Sequence, residues 1–205
     1  MADLWVTIPS AGRATLAGAI NSTGIPRDRI VIVDTSGTVQ ADGCHVVRDD
    51  GPINIQRWWN TGIDYAQVHG ATHVAVLNDD VLLGQGALST LLAKIGPAAI
   101  SSVGGGGLFT EAIPEWRALN GACWLLDLAT GLRADEGYHW WYGDDDLDWR
   151  ARTQHGGVMS LQVEWAHLHP NEETKMRADL IALTELDRLR WHQRGGRRKV
   201  TPLSP

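Results

Sequence analysis

Phenylalanine is nearly absent from this chain: one Phe stands against ten Trp and three Tyr. Cysteine is equally scarce. Cys44 and Cys123 lie far apart and form no paired motif, so neither a thiolate metal knuckle nor a disulfide framework is encoded. Cys123 sits in an apolar run and reads as a buried thiol. No apolar stretch is long enough to span a bilayer, and the N-terminus lacks the basic-then-apolar pattern of a secretory leader; a cytoplasmic location is the expectation. Positive charge is also short, with a net charge of -6. It is unevenly placed: from Asn171 onward eight Lys/Arg face five Asp/Glu, which makes that segment +3 and leaves -9 for the rest. An acidic body argues against strong duplex binding. The four glycines Gly104–Gly107 lack the Lys-Ser/Thr ending of a phosphate loop and read as a mobile connection.

What the chain does contain is an alternation of strand and helix patterns within a length suited to one domain. Strands are expected at 4–8, 29–34, 44–48 and 98–103, with another running into Asn78, and later ones at 121–127 and 158–165. Helices are expected at 14–21, 53–68, 87–95, 144–155 and 172–194. In the second of these Ile55, Trp59, Ile63 and Ala66 share a face; in the last, Leu180, Leu183, Leu186 and Trp191 point to the body. The fold class is α/β, a mostly parallel central sheet flanked by helices.

Acids mark the ends of these elements. The buried run Val74–Leu77 stops at Asn78-Asp79-Asp80, where two adjacent carboxylates at a strand's carboxyl end invite a hard cation. Asp34 ends the second strand, and Asp144-Asp145-Asp146 opens a helix, where the macrodipole alone would favour acids. In an open α/β sheet the carboxyl ends of the strands converge on one rim, the usual place for a ligand. A nucleotide there could be gripped at its base by Asp34, with Mg²⁺ or Mn²⁺ on Asp80 offsetting its diphosphate. Arg13 offers a bidentate phosphate contact or a surface salt bridge. Trp116, Trp140 and Trp141 lie in loops over the rim and serve either as a stacking platform for an acceptor or as packing.

In order, the segments Ile8-Pro9-Ser10-Ala11-Gly12-Arg13, Val31-Ile32-Val33-Asp34-Thr35-Ser36, Asn60-Thr61-Gly62-Ile63, Leu77-Asn78-Asp79-Asp80-Val81, Asn120-Gly121-Ala122-Cys123 and Asp144-Asp145-Asp146-Leu147-Asp148-Trp149-Arg150, with a later His, resemble the family 2 glycosyltransferases of the GT-A fold. The likeness spans residues 4–169; Gly143 departs from it, standing where the family has an acid. The resemblance implies residues 1–170 as the catalytic domain (1–80 binding the donor, 81–170 facing the acceptor) and 171–205 as a C-terminal helix with a flexible basic tail. It implies an inverting transfer of a sugar from a nucleotide-sugar to a hydroxyl in one in-line displacement. Pro9, Ser10, Arg13, Asp34, Asn60, Asn78 and Asp79 would bind the donor nucleotide. Asp80 with His167 or His169 would hold Mn²⁺ or Mg²⁺. Asp144 or Asp145 would be the base, with register favouring Asp144. The acceptor is open: glycan, protein, lipid-linked or modified nucleic acid. A nucleotidyltransferase and a non-catalytic nucleotide- or sugar-binding module are the competing readings. The first is disfavoured because the loop after strand one carries one Gly and one Arg rather than a glycine-rich, basic loop.

Overall fold

A computed structural model describes residues 3–111, 117–169 and 177–195. Its centre is an eight-stranded sheet built from β1 (Leu4–Ser10), β2 (Ile30–Asp34), β3 (His45–Arg48), β4 (His73–Leu77), β6 (Ile100–Val103), β7 (Gly107–Phe109), β8 (Cys123–Asp127) and β9 (Val158–Leu161). The strand order across the sheet is β3-β2-β1-β4-β8-β6-β9-β7. β1 pairs in parallel with β2 and β4, and β2 with β3. β8 runs antiparallel between β4 and β6, while β9 returns parallel to β6 and β7 closes that edge antiparallel. The sheet is therefore mostly parallel, as the apolar runs suggested.

Alternation along each central strand feeds two cores. Val6, Ile8, Ile32, Ala75, Leu77 and Leu125 face one layer, joined by Ala19 and Ile20 of α1 (Leu16–Ser22) and Leu88 and Leu91 of α3 (Ala87–Lys94). Trp5, Val31, Val74, Val76, Trp124 and Leu126 face the other, joined by Trp59, Ile63 and Ala66 of α2 (Ile55–Val68) and by Leu147 and Ala151 of α4 (Gly143–Gln154). With both faces covered, the strands need no polar side, which is why they read as continuous apolar runs. Trp59 packs edge-on against Trp124, centroids 5.4 Å apart. Asn54 caps α2 by accepting from the Arg57 amide at 2.9 Å.

Three expectations need correction. The run 158–165 is not one strand: it leaves the sheet after Leu161 and re-pairs as β10 (Trp165–His167), antiparallel to β5 (Val81–Leu83) in a separate two-stranded ribbon. The Gly84 amide, donating to the Glu164 carbonyl at 2.8 Å, extends that pairing. Gly107 is the first residue of β7 rather than part of a loop. In the last helix, α5 (Ala178–Gln193), Leu186 is 56% exposed, and Asp187 takes the inward place between Leu180 and Trp191. Among the described residues no helix is long and apolar enough to cross a membrane.

Candidate active site

β2 and β3 lie to one side of β1, and β4 and β8 to the other. The chain order thus reverses between β1 and β4, and a crevice opens beyond their carboxyl ends. β1 ends in Ser10 and β4 runs into Asn78-Asp79-Asp80. Ser10 Oγ donates to Asp79 Oδ2 at 2.7 Å, tying the two strand ends together. Because β8 is antiparallel to β4, with Cys123 opposite Leu77, the segment Asn120-Gly121-Ala122 arrives at the same rim. The Asn78 amide donates to the Ala122 carbonyl there at 3.0 Å.

The result is a cleft of about 360 Å³. Of the residues singled out from sequence, it is lined by Pro9, Ser10, Arg13, Asn78, Asp79, Asp80, Asp144, Trp140, Trp141, His167 and His169. Segments from both ends of the described chain therefore share one wall, and the two acidic points flanking the rim face one space.

Asp80 is 3% exposed. Arg13 Nη1 donates to its Oδ2 at 3.0 Å, and His167 Nε2 lies 3.1 Å from its Oδ1. His167 gets there because β10 pairs it with Val81, the residue after Asp80, and the Leu168 amide donates to the Asp80 carbonyl at 2.9 Å. Burial alone would push the Asp80 carboxyl up; the hydrogen bond and charge of His167 and the charge of Arg13 outweigh it and hold it below the ordinary carboxylate range. His167 meets Asp80 directly, and His169 lines the same cleft.

Across the cleft Asp144 sits in the first turn of α4. Its carboxylate is paired with the Arg117 guanidinium, which also lies 3.5 Å from Asp145 Oδ2. Burial would lower the proton affinity of Arg117, but Asp144, Asp145 and Asp148 together raise it and keep it charged. Asp145 is 3% exposed and is not among the residues that line the cleft, whereas Asp144 is. Asp148 accepts the Ala118 and Leu119 amides at 2.9 Å each, fixing the approach to Asn120. At Gly143 a Cβ would fall 2.1 Å from Gln56 Cδ, so a side chain there requires the end of Gln56 to move aside.

Two expected donor contacts do not reach the cleft. The Asp34 carboxylate is taken up by its own turn, accepting from the Ser36 amide and hydroxyl and the Gly37 amide at 2.9 Å each and from the Val39 amide at 3.2 Å. Its neighbour Thr35 lines the cleft instead. Asn60 clasps Ala134 with both ends of its amide, at 3.0 Å each, and bonds Glu136 at 2.9 Å. It anchors α2 to the 134–136 segment. Trp116 lies outside the described residues.

The cleft is also lined by residues that were not among the expected site residues: Gln56 and Trp58 of α2, Arg117, Asn120, and Arg177 and Leu180 at the start of α5. Asn120 lay within a matched segment and could have been found. Arg117 and Arg177 belong to no local pattern, and only the tertiary fold brings them in. Among the described residues no three His, Cys, Asp or Glu side chains come together to hold a metal on their own.

No family model matches the chain, and no curated protein matches it by sequence. Solved structures do. A mannosyltransferase, PcManGT from Pyrobaculum calidifontis, in complex with GDP-Man and Mn²⁺, superposes with a TM-score of 0.66 at 13% identity over 96% of this chain and 65% of its own. The chain is GT-A-like in fold. S. aureus TarS 1-349 in complex with UDP-GlcNAc gives 0.56 at 14% identity over 91% of this chain and 66% of its own. A mannose-1-phosphate geranyltransferase from Thermus thermophilus gives 0.50 at 12% identity over 80% and 76%. The chain thus spans about two thirds of the length of the first two.

Proposed function

We propose that this GT-A-like chain transfers a sugar from a nucleotide-sugar donor to an acceptor hydroxyl, inverting the anomeric centre in one displacement. The observation that carries the reading is the meeting of Asp80 and Asp144 in one cleft at the switch point between β1 and β4. Solved neighbours crystallised with GDP-Man and Mn²⁺ and with UDP-GlcNAc support a nucleotide-sugar as the donor.

In this reading the donor nucleotide lies along Pro9, Ser10, Thr35, Asn78 and Asp79, with Arg13 beside its phosphates. A carboxylate and an imidazole side by side, Asp80 and His167, fit Mn²⁺ or Mg²⁺, which commonly take few protein ligands and fill the rest of their shell with phosphate oxygens and water. Such a cation would supply charge neutralisation to the departing diphosphate. Asp144 accepts the proton of the attacking hydroxyl. Arg117 holds that carboxylate in place before the acceptor arrives, and Asp145 and Asp148 hold Arg117. Trp58, Trp140 and Trp141 form the aromatic wall against which an acceptor ring packs.

One observation favours a second reading, a nucleotide-sugar-binding module: Asp144 already has a cationic partner in Arg117. One experiment separates them. Nucleotide-sugars are incubated with the protein and Mn²⁺, and donor hydrolysis and thermal shift are scored for wild type and Asp144→Asn. A transferase hydrolyses one donor slowly and loses that turnover in the variant while keeping the shift. A shift without hydrolysis in either protein rejects the transferase.

A further inference from the structure

An aspartate on the buried face of a helix is costly unless its oxygens are hydrogen-bonded. Asp187 is such a residue: it is 1% exposed, on the same face of α5 as Leu180 and Trp191. Its partners are the backbone of one short loop. The His139 amide donates to both of its oxygens, at 2.9 and 3.0 Å. The Trp140 amide donates to Oδ2 at 2.7 Å and the Trp141 amide to the same oxygen at 2.9 Å. His139 Nδ1 lies 3.0 Å from Oδ1. Three consecutive amides converging on one anion make a nest of the kind that binds phosphate or carboxylate; here the occupant comes from the chain itself, 46 to 48 residues further on.

The loop so held is the one that brings Trp140 and Trp141 to the cleft. Its other ties run the same way. The Ile55 amide donates to the His139 carbonyl at 2.7 Å, and Trp140 meets Trp58 edge-on, centroids 6.4 Å apart. The next residue, Tyr142, has φ 62°, a backbone state that a non-glycine residue holds only when its surroundings enforce it. Those surroundings are again α5: Trp191 packs on Tyr142 at 6.2 Å, within a cluster that includes Tyr138. Tyr142 directly precedes α4, whose first turn carries Asp144.

We propose that Asp187 is the positioning residue of the acceptor subsite. By occupying the amide nest of residues 139–141, it fixes the backbone from which Trp140 and Trp141 reach the cleft. With the backbone amides engaged, this stretch of wall meets the acceptor through its side chains and not through backbone N–H groups. It therefore suits an acceptor with an apolar ring face, such as the C–H face of a sugar. This assignment of the ligand rests on the transferase reading; the positioning itself does not.

The test uses the full chain labelled with 5-fluorotryptophan. Signals are assigned by Trp140→Phe, Trp141→Phe, Trp191→Phe and Trp124→Phe. In Asp187→Asn the Trp140 and Trp141 signals shift and broaden, while Trp124 in the sheet does not move. Binding of UDP or GDP with Mn²⁺, whichever the wild type binds, is retained. If only the Trp191 signal moves, Asp187 merely anchors α5 and the proposal is overturned. Hydrogen exchange on the wild type covers the case of a variant that does not fold. The amides of residues 139–141 then exchange as slowly as those in α4; rapid exchange there overturns the proposal. Neither readout needs turnover, so absence of donor hydrolysis in the wild type would defeat the transferase reading alone.

Discussion

Ser10 Oγ and Asp79 Oδ2, 69 positions apart in the chain, lie 2.7 Å apart at the point where the sheet changes winding direction. Both residues are buried. A hydroxyl donating to a carboxylate is a charge-assisted bond, and removing it leaves a buried oxygen short of a donor. Ser10→Ala should therefore lower unfolding stability by about 1.5–3 kcal/mol. Ser10 Oγ also accepts the Gly12 amide at 3.0 Å, so the loop leading to Arg13 loosens too. Urea unfolding measures the first effect, and calorimetric titration with UDP or GDP and Mn²⁺ measures the second as weaker binding.

Asp144 and Asp145 are neighbours with different surroundings. Asp144 lines the cleft, whereas Asp145 is buried beneath it, and both face Arg117. Loss of a general base costs about 10²–10⁴ in rate. Asp144→Asn should lose turnover on that scale, with nucleotide affinity retained. Asp145→Asn should instead show mainly a lower melting temperature, because it removes a buried partner of Arg117. Donor hydrolysis with parallel thermal melts of both variants checks this; equal loss of turnover in the two would remove Asp144 from its special place.

The parts legible in the sequence were those encoded locally. The run Val74–Leu77 ending in two acids located β4, and its chain order located the rim. Ile63 and Ala66 identified the inner face of α2. Pairing partners are not local, so β8 gave no sign that it would insert antiparallel between β4 and β6. The apolar run 158–165 looks continuous, and only the presence of β5 as a second partner splits it. Asp34 was legible as a strand-end acid, but the turn amides that its carboxylate accepts from were not, because they depend on how residues 36–39 fold back on it. Leu186 looked buried because apolar spacing cannot foresee a carboxylate at 187 finding three amides on another loop. Arg117 and Arg177 became visible only in three dimensions.

Acid should destabilise the fold from a defined side. Burial would raise Asp34, yet the Ser36 amide and hydroxyl and the Val39 and Gly37 amides hold it below its ordinary value. Asp80 is held down against burial by His167 and Arg13. Asp135 is held down against burial by the Gly137 amide, Arg190 and Arg194. A carboxyl with a depressed folded value takes up its proton more readily in the unfolded chain. Its stabilising contribution is complete above the unfolded value of about 4 and disappears as pH falls through the folded one. Urea midpoints should form a plateau above about pH 5 and drop steeply below about pH 4. Asp34→Asn should lower the plateau and flatten part of that drop, and a midpoint series from neutral to acid pH tests both.

Gly62 sets how closely α2 lies on β1. A Cβ built there would stand 1.7 Å from Thr7 Oγ1 and 2.6 Å from Thr7 Cβ, in a part of the core where Thr7 is fully buried. Gly62→Ala therefore cannot be absorbed by a rotamer change, since the Thr7 Cβ belongs in effect to the strand. The helix must move outward, and Ile63 and Ala66, which carry the contact with Val74 and Val76, move with it. Overpacking of this kind costs about 1–3 kcal/mol, and more where backbone has to shift. The expected effect lies at or above the top of that range, despite the gain in helix propensity of about 1 kcal/mol that Ala brings over Gly. Thr7→Ala in the same chain removes the 1.7 Å clash but leaves the one at 2.6 Å, so it restores only part of the loss. Denaturant unfolding of the two single variants and the double variant measures this; full recovery in the double would show that the hydroxyl, and not the strand, limits the approach of α2.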